Sequence, residues 1–179
     1  MARGARGALD SSHGPPLISA VMLDAQAQEF SVEIAASPLQ CFKTITDFES
    51  YPRWSSAIQR VSVLDRDQSG FGRVVEFRID MKFKSVRYVL EYACRKPEEL
   101  TWRSIDGDVE SIRGSYHFRK VEPRLTAATC RQAVDLGFWV PGPVRKLAER
   151  TALRQSVLEF KQETERRLAE RSSRSRRST

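Results

Sequence analysis

The chain has 179 residues, 40% of them hydrophobic, which favours one folded domain with a single core over two domains. Its 30 Lys and Arg against 23 Asp and Glu give a net charge of +7, a balance that by itself suggests a nucleic-acid or membrane partner. The segment 166–179 holds six arginines and one acid, so the rest of the chain is close to neutral.

Residues 1–27 are rich in Ala, Gly, Ser and Pro and show little periodicity, so we expect a disordered leader before a domain at 28–170. An export signal is the less favoured alternative, because the apolar run at 17–23 is short for a signal core. Residues 171–179 are almost entirely Ser and Arg and are predicted to form a disordered basic tail.

The first predicted strand contains Phe30, Val32 and Ile34, which alternate with polar side chains. The sequence SPLQ at 37–40 then predicts a helix start, with a capping hydroxyl, a proline suited to the first turn and a glutamine able to close a capping box. Residues 47–54, DFESYPRW, predict a tight corner into a second short helix that ends near Ala57.

Between Ile58 and Leu136 the pattern changes to strands separated by turn residues, which is typical of an antiparallel meander. The six predicted strands span residues 58–65, 72–83, 86–95, 100–105, 109–121 and 125–136. A long helix follows, from Pro143 to near Arg171, and its broad apolar stripe suits the concave face of a sheet. We expect Glu163 to pair with Arg167 on a solvated face of its last turns.

The cysteines, Cys41, Cys94 and Cys130, lie far apart and lack the spacing of a metal site or a redox motif. We interpret all three as buried thiols in a reducing compartment, and therefore expect a cytoplasmic protein. The sequence shows no metal triad, phosphate-binding loop or Ser-His-Asp order, so no cofactor is predicted. No segment approaches the roughly 20 apolar residues that a membrane-spanning helix needs.

Strand alternation assigns one face of the sheet as wide, aromatic and almost uncharged. Because one helix cannot cover seven strands, we expect a cleft between this inner face and the helix; a solid core is the alternative. Gly114 fits a sharp bend or a close approach of a ligand to the backbone. The candidate ligand-binding residues are Phe77, Ile79, Met81, Tyr88, Leu90, Tyr92, Trp102, Ser104, Tyr116, Phe118, Gln132 and Leu147.

The order of elements resembles that of the START and polyketide cyclase superfamily, also called SRPBCC. The corner at 47–54, the sequence GSYHF at 114–118 and the Ser37-Pro38 helix start are similar to its polyketide cyclase/dehydrase and coenzyme Q-binding branch. The resemblance implies an α+β helix-grip fold: a seven-stranded curved antiparallel sheet, two short helices after the first strand, and a long C-terminal helix across the concave face. It also implies an apolar ligand such as a lipid, a quinone or a polyketide.

The residues favour a binding protein over an enzyme, because the predicted inner face offers no histidine or carboxylate to move protons. His117 falls on the outer phase, beside Arg113 and Arg119. We therefore predict binding or transport of an apolar small molecule and assign no catalytic residue.

Two alternatives remain open. One is an aromatic polyketide cyclase or dehydrase, in which inward tyrosines would hold a substrate carbonyl. The other is a ribosome- or RNA-associating member of the same family. The Arg-rich C-terminal tail could make weak contacts with nucleic acid or an anionic membrane by counterion release.

Overall fold

The structure, a computed structural model, describes residues 27–80, 85–137 and 142–177, without the side chains of residues 142–147 and 175–177. The helices are α1 (Pro38–Ile45), the 3-10 helix η1 (Phe48–Arg53) and α2 (Gly142–Arg177). The strands are β1 (Gln28–Ile34), β2 (Ile58–Arg66), β3 (Gly72–Asp80), β4 (Ser85–Arg95), β5 (Glu99–Gly107), β6 (Ser111–Glu122) and β7 (Leu125–Asp135).

The strands form one seven-stranded antiparallel sheet in the order β1-β7-β6-β5-β4-β3-β2. Strands β2 to β7 pair with their sequence neighbours, as a meander requires, while β1 pairs with β7 and places Phe30 opposite Cys130. The helices between β1 and β2 therefore join the two edges of the curved sheet. The predicted α+β fold, with its short helices and its long C-terminal helix, is confirmed.

The predicted capping box at the start of α1 is confirmed. The backbone N–H of Ser37 donates to Oε1 of Gln40 over 2.9 Å, and the Ser37 hydroxyl donates to the same oxygen over 3.0 Å. The second helix, η1, ends at Arg53 and not near Ala57. The Tyr51 hydroxyl donates to the carbonyl oxygen of Ile45 over 2.5 Å, which fixes η1 against the end of α1.

Helix α2 packs against β1, α1 and β7 and buries Leu153, Val157 and Phe160. It runs to Arg177, past the end predicted near Arg171 and into the segment that we expected to be disordered. The physical reason is that residues 171–177 contain neither Gly nor Pro, the residues that most often end a helix. Among the described residues, no helix has the length and the continuous apolar character needed to cross a bilayer.

The prediction of buried thiols holds for Cys41 and Cys130 and is wrong for Cys94, which is exposed. Cys94 has the inner phase, but all residues from Ala93 to Arg95 are exposed. Strand β4 therefore continues beyond the part of the sheet that is covered, and alternation of side chains produces alternating burial only where something covers one face.

Candidate functional site

The inner face of the sheet carries a continuous series of aromatic contacts that runs from β3 to α2. Phe77 stacks on Tyr88 with ring centroids 5.4 Å apart. Trp102 follows on β5, with its ring centroid 5.8 Å from that of Tyr116. Tyr116 contacts Phe160 of α2 at 5.4 Å. These contacts join the sheet to the helix through large apolar surfaces.

Burial divides the candidate residues into two groups. The deeply buried group lies in the packed centre and consists of Phe77, Leu90, Tyr92, Trp102, Tyr116 and Phe118. The half-buried group consists of Ile79, Tyr88, Ser104 and Gln132. Three of them, Ile79, Tyr88 and Ser104, lie on the neighbouring strands β3, β4 and β5, whereas Gln132 on β7 lies in the same cross-strand row as the buried Trp102. The inner face is therefore less completely covered at these three positions on β3, β4 and β5.

Two candidates cannot be placed in this pattern. Met81 and the side chain of Leu147 lie outside the described residues. Leu147 lies in the first turns of α2. Both residues were predicted to line the cleft between sheet and helix, which stays a prediction.

The tyrosines of the inner face differ in what their hydroxyls contact. Neither Tyr88 nor Tyr92 has a hydrogen-bond partner for its hydroxyl among the described residues, whereas the Tyr116 hydroxyl interacts with the thiol of Cys130. Burial raises the pKa of the Tyr88 and Tyr92 phenols well above the usual value. Both therefore stay neutral at physiological pH and can donate or accept a hydrogen bond.

The other polar groups of the inner face are also weak acids or already bonded. Burial raises the pKa of the Cys130 thiol to about 12 and that of Cys41 to about 11. Ser104 Oγ accepts a hydrogen bond from the backbone N–H of Ile112 over 2.9 Å. At the buried and half-buried inner positions of β3 to β7 that the structure describes, there is no histidine or carboxylate. This surface is suited to holding a molecule more than to moving its protons.

Gly114 has a different role from the ligand approach that we expected. A Cβ atom at Gly114 would lie 2.3 Å from Cζ2 of Trp102 and 2.8 Å from the carbonyl oxygen of Arg131. The Trp102 indole therefore crosses β6 directly over Gly114, which is its cross-strand neighbour. The glycine provides space for the ring of a core tryptophan.

A polar network connects the corner at 47–54 with the C-terminal helix. The Arg167 guanidinium donates to Asp47 Oδ2 over 2.8 Å, to Ser50 Oγ over 2.8 Å and to Glu163 Oε1 over 2.7 Å. The pairing of Glu163 with Arg167 is confirmed, but the expected solvated face is wrong, because Glu163 is only 6% exposed. The corner covers this face of the helix, which the helical pattern alone could not indicate.

The sequence interpretation omitted several residues that complete the aromatic interior. Phe48 and Tyr51 of η1 and Phe160 of α2 are all buried. Phe160 belonged to the predicted apolar stripe of the helix, so its period was a usable signal. Phe48 and Tyr51 lie in a 3-10 corner, where no strand or helix period assigns an inner side.

The fold and this aromatic inner face define a helix-grip domain of the START-like type. The chain belongs to the family described as polyketide cyclase / dehydrase and lipid transport, which matches residues 34–161. Among curated proteins, none matches the chain.

Solved structures show the same fold at low sequence identity. A START superfamily protein from Mycobacterium smegmatis is 20% identical, with a TM-score of 0.73, and the match covers 78% of this chain and 97% of that one. The ZhuI aromatase/cyclase from Streptomyces sp. R1128 is 17% identical, with a TM-score of 0.66, and the match covers 79% and 94% of the two chains. The di-domain ARO/CYC StfQ of the steffimycin biosynthetic pathway is 14% identical, with a TM-score of 0.63; the match covers 80% of this chain but 46% of that one.

Proposed function

We propose that the protein binds or carries an apolar small molecule between the inner face of the sheet and α2. The observation that carries this proposal is the partial exposure of Ile79, Tyr88 and Ser104 on the neighbouring strands β3, β4 and β5, beside an otherwise packed aromatic face. Apolar surface next to a few neutral polar groups is the usual lining of a small-molecule site. A lipid, a quinone or a polyketide fits this chemistry.

The hydroxyl of Tyr88 gives the proposed site a means of orienting its ligand. A neutral phenol without a described partner can donate one hydrogen bond to a carbonyl or hydroxyl oxygen of the ligand. Because the neighbouring surface is apolar, that hydrogen bond would fix orientation while burial of the ligand supplies most of the affinity.

Native mass spectrometry of the protein purified from its own host, followed by organic extraction, tests the proposal directly. A bound lipid or quinone is expected at a stoichiometry of one molecule per chain. Repeated isolation of an empty protein, with no thermal shift from any apolar compound, would contradict binding.

Replacing Ile79 by Asp is expected to weaken binding of the uncharged fluorophore N-phenyl-1-naphthylamine by at least about tenfold, measured by fluorescence titration. The physical reason is that the new carboxylate would have to lose water beside an apolar ligand. The matched control is Ile105→Asp, because Ile105 is 47% exposed and should leave binding unchanged. Equal loss in both variants, or no saturable binding by the unmodified protein, would refute the proposed location.

The second candidate function is that of an aromatic polyketide cyclase or dehydrase. It is favoured by the free hydroxyls of Tyr88 and Tyr92 among the described residues, which could polarise a substrate carbonyl. Both phenols have raised pKa values, so they would act as hydrogen-bond donors and not as bases. The proton-transferring group that a cyclase uses would then have to come from the substrate, water or residues outside the described ranges.

Conversion of a poly-β-ketone analogue distinguishes the two functions. For a cyclase, Tyr88→Phe should lower turnover at least about tenfold, because the donor to the carbonyl is removed. Tyr116→Phe is the matched control, since its hydroxyl already interacts with Cys130 and should matter little. If the unmodified protein shows no turnover, or if Tyr88→Phe turns over as fast as the unmodified protein, the cyclase function is refuted and only the binding function remains.

A further inference from the structure

The outer face of the sheet, opposite the proposed ligand site, contains a groove of about 870 Å³. Its floor is formed by small side chains on four neighbouring strands: Ala93, Thr101, Ser115 and Ala133. Longer side chains form its sides, among them Arg103, Arg113 and Arg131. Ala93, Thr101 and Ser115 are cross-strand neighbours in one row that ends at Arg131, and Ala133 lies in the next row, opposite Arg113.

The charges in this groove are not balanced. Arg103 lies directly opposite Arg113 in the register of β5 and β6, and like charges in this relation repel each other. Glu91 accepts a hydrogen bond from Nε of Arg103 over 2.8 Å and so neutralises that arginine. Arg113 is half-buried and has neither a hydrogen bond nor an ion pair with any described residue.

A half-buried guanidinium without an anionic partner has lost part of its hydration with no ion pair to compensate for it. Arg113 therefore has an unused fork of N–H donors directed at a groove of small-molecule size. Phosphate matches the planar guanidinium because two of its oxygens accept parallel hydrogen bonds from it. The Ser115 hydroxyl, on the same face of β6, could contribute a further donor.

We propose that the outer groove binds the phosphate group of a small phosphorylated molecule, with Arg113 as the principal ligand residue. Arg103 holds the adjacent wall in place through Glu91, and Ser115 lies on the floor. This site is separate from the inner face, because Gly114 and Trp102 lie between the two. It does not depend on whether the inner face binds an apolar molecule.

Isothermal titration of the full chain with inorganic pyrophosphate at low ionic strength tests the site. Saturable binding is expected, and Arg113→Ala should weaken it by at least about tenfold because charged hydrogen bonds are lost. Arg113→Lys should also weaken it, because a lysine keeps the charge but lacks the fork. The lysine variant also keeps the test decisive if the alanine variant does not fold.

Arg119→Ala is the matched control, since Arg119 is exposed on the same face of the same strand and has no described partner. Its affinity for pyrophosphate should stay within about twofold of that of the unmodified protein. Equal losses at Arg113 and Arg119 would show diffuse charge attraction and overturn the site, as would the absence of saturable binding.

Vesicles identify the source of the phosphate. Cosedimentation with phosphatidylcholine vesicles, with and without phosphatidic acid, is expected to show no Arg113-dependent binding if the ligand is a soluble phosphate compound. The opposite result has two parts: Arg113→Ala abolishes binding to the phosphatidic acid vesicles, and pyrophosphate does not bind. The ligand would then be a lipid phosphate, and the proposal of a small soluble ligand would be overturned.

Discussion

Phe160→Ala is expected to lower the free energy of unfolding by about 4 kcal/mol, as measured by urea denaturation. Phe160 is fully buried, and its ring lies 5.4 Å from that of Tyr116 and 6.1 Å from that of Phe118. Removing the ring takes away both contacts and leaves a cavity where α2 meets the sheet, and a packed interior relaxes only partly to fill such a space.

The control for this substitution is Leu64→Ala. Leu64 is 56% exposed, so the loss of its side chain should cost less than about 1 kcal/mol. A cost at Phe160 no greater than that at Leu64 would show that α2 is not held by this contact. The aromatic connection between sheet and helix would then have no energetic importance.

Arg167→Ala is expected to lower the free energy of unfolding by about 3 kcal/mol. The substitution removes the hydrogen bonds from Arg167 to Asp47, Ser50 and Glu163, and with them the polar connection between α2 and the corner. Glu163 is buried, so the loss of one of its cationic partners leaves a carboxylate that water cannot fully solvate.

The neighbouring Arg166 supplies the matched control. It is 55% exposed and also bonds Glu163, through Nε at 2.7 Å, so it tests the loss of a partner of the same carboxylate while the bonds to the corner stay in place. Arg166→Ala should cost about 1 kcal/mol or less. Equal costs for both arginines would indicate that the connection to the corner contributes nothing.

The Arg167 network also has an expected pH dependence. Burial raises the pKa of Glu163, but hydrogen bonds and attraction from Arg166 and Arg167 outweigh it, and the net pKa is lowered. Stability from this group is thus present above the pKa of the unfolded chain, about 4.3, and is lost as the pH falls through the lower pKa of the folded protein. The difference between the unmodified protein and Arg167→Ala should therefore narrow in urea titrations at acid pH.

The sheet was largely predictable from the sequence because its strands alternate and its turns are marked. Phe77 and Arg78 in β3 show the strong contrast that identifies an inner and an outer face, and the structure confirms it. The ends of elements were less predictable. Helix α2 reaches Arg177 because residues 171–177 contain neither Gly nor Pro, whereas we took their Ser and Arg composition as a sign of disorder.

The sequence predicted which residues lie on the inner face, but it predicted less well how deeply each is buried and what it contacts. Alternation placed Tyr88 and Trp102 on the inner face, but it could not show that Trp102 fills the space over Gly114. It also could not separate the packed residues from the half-buried ones, since burial depends on where α2 and η1 cover the sheet. The position of Arg113 opposite Arg103 depends on the cross-strand register of β5 and β6, which strand alternation does not give.

The sequence by itself determined the order of strands and helices, the face on which each strand side chain lies, and the family resemblance. These features depend on periods of two and 3.6 residues and on turn chemistry, all of which are local. Tertiary structure decided that Glu163 is buried, that Cys94 is exposed and that an outer groove surrounds Arg113. Those features arise where segments distant in sequence come into contact, so the local periodicity of the sequence cannot predict them.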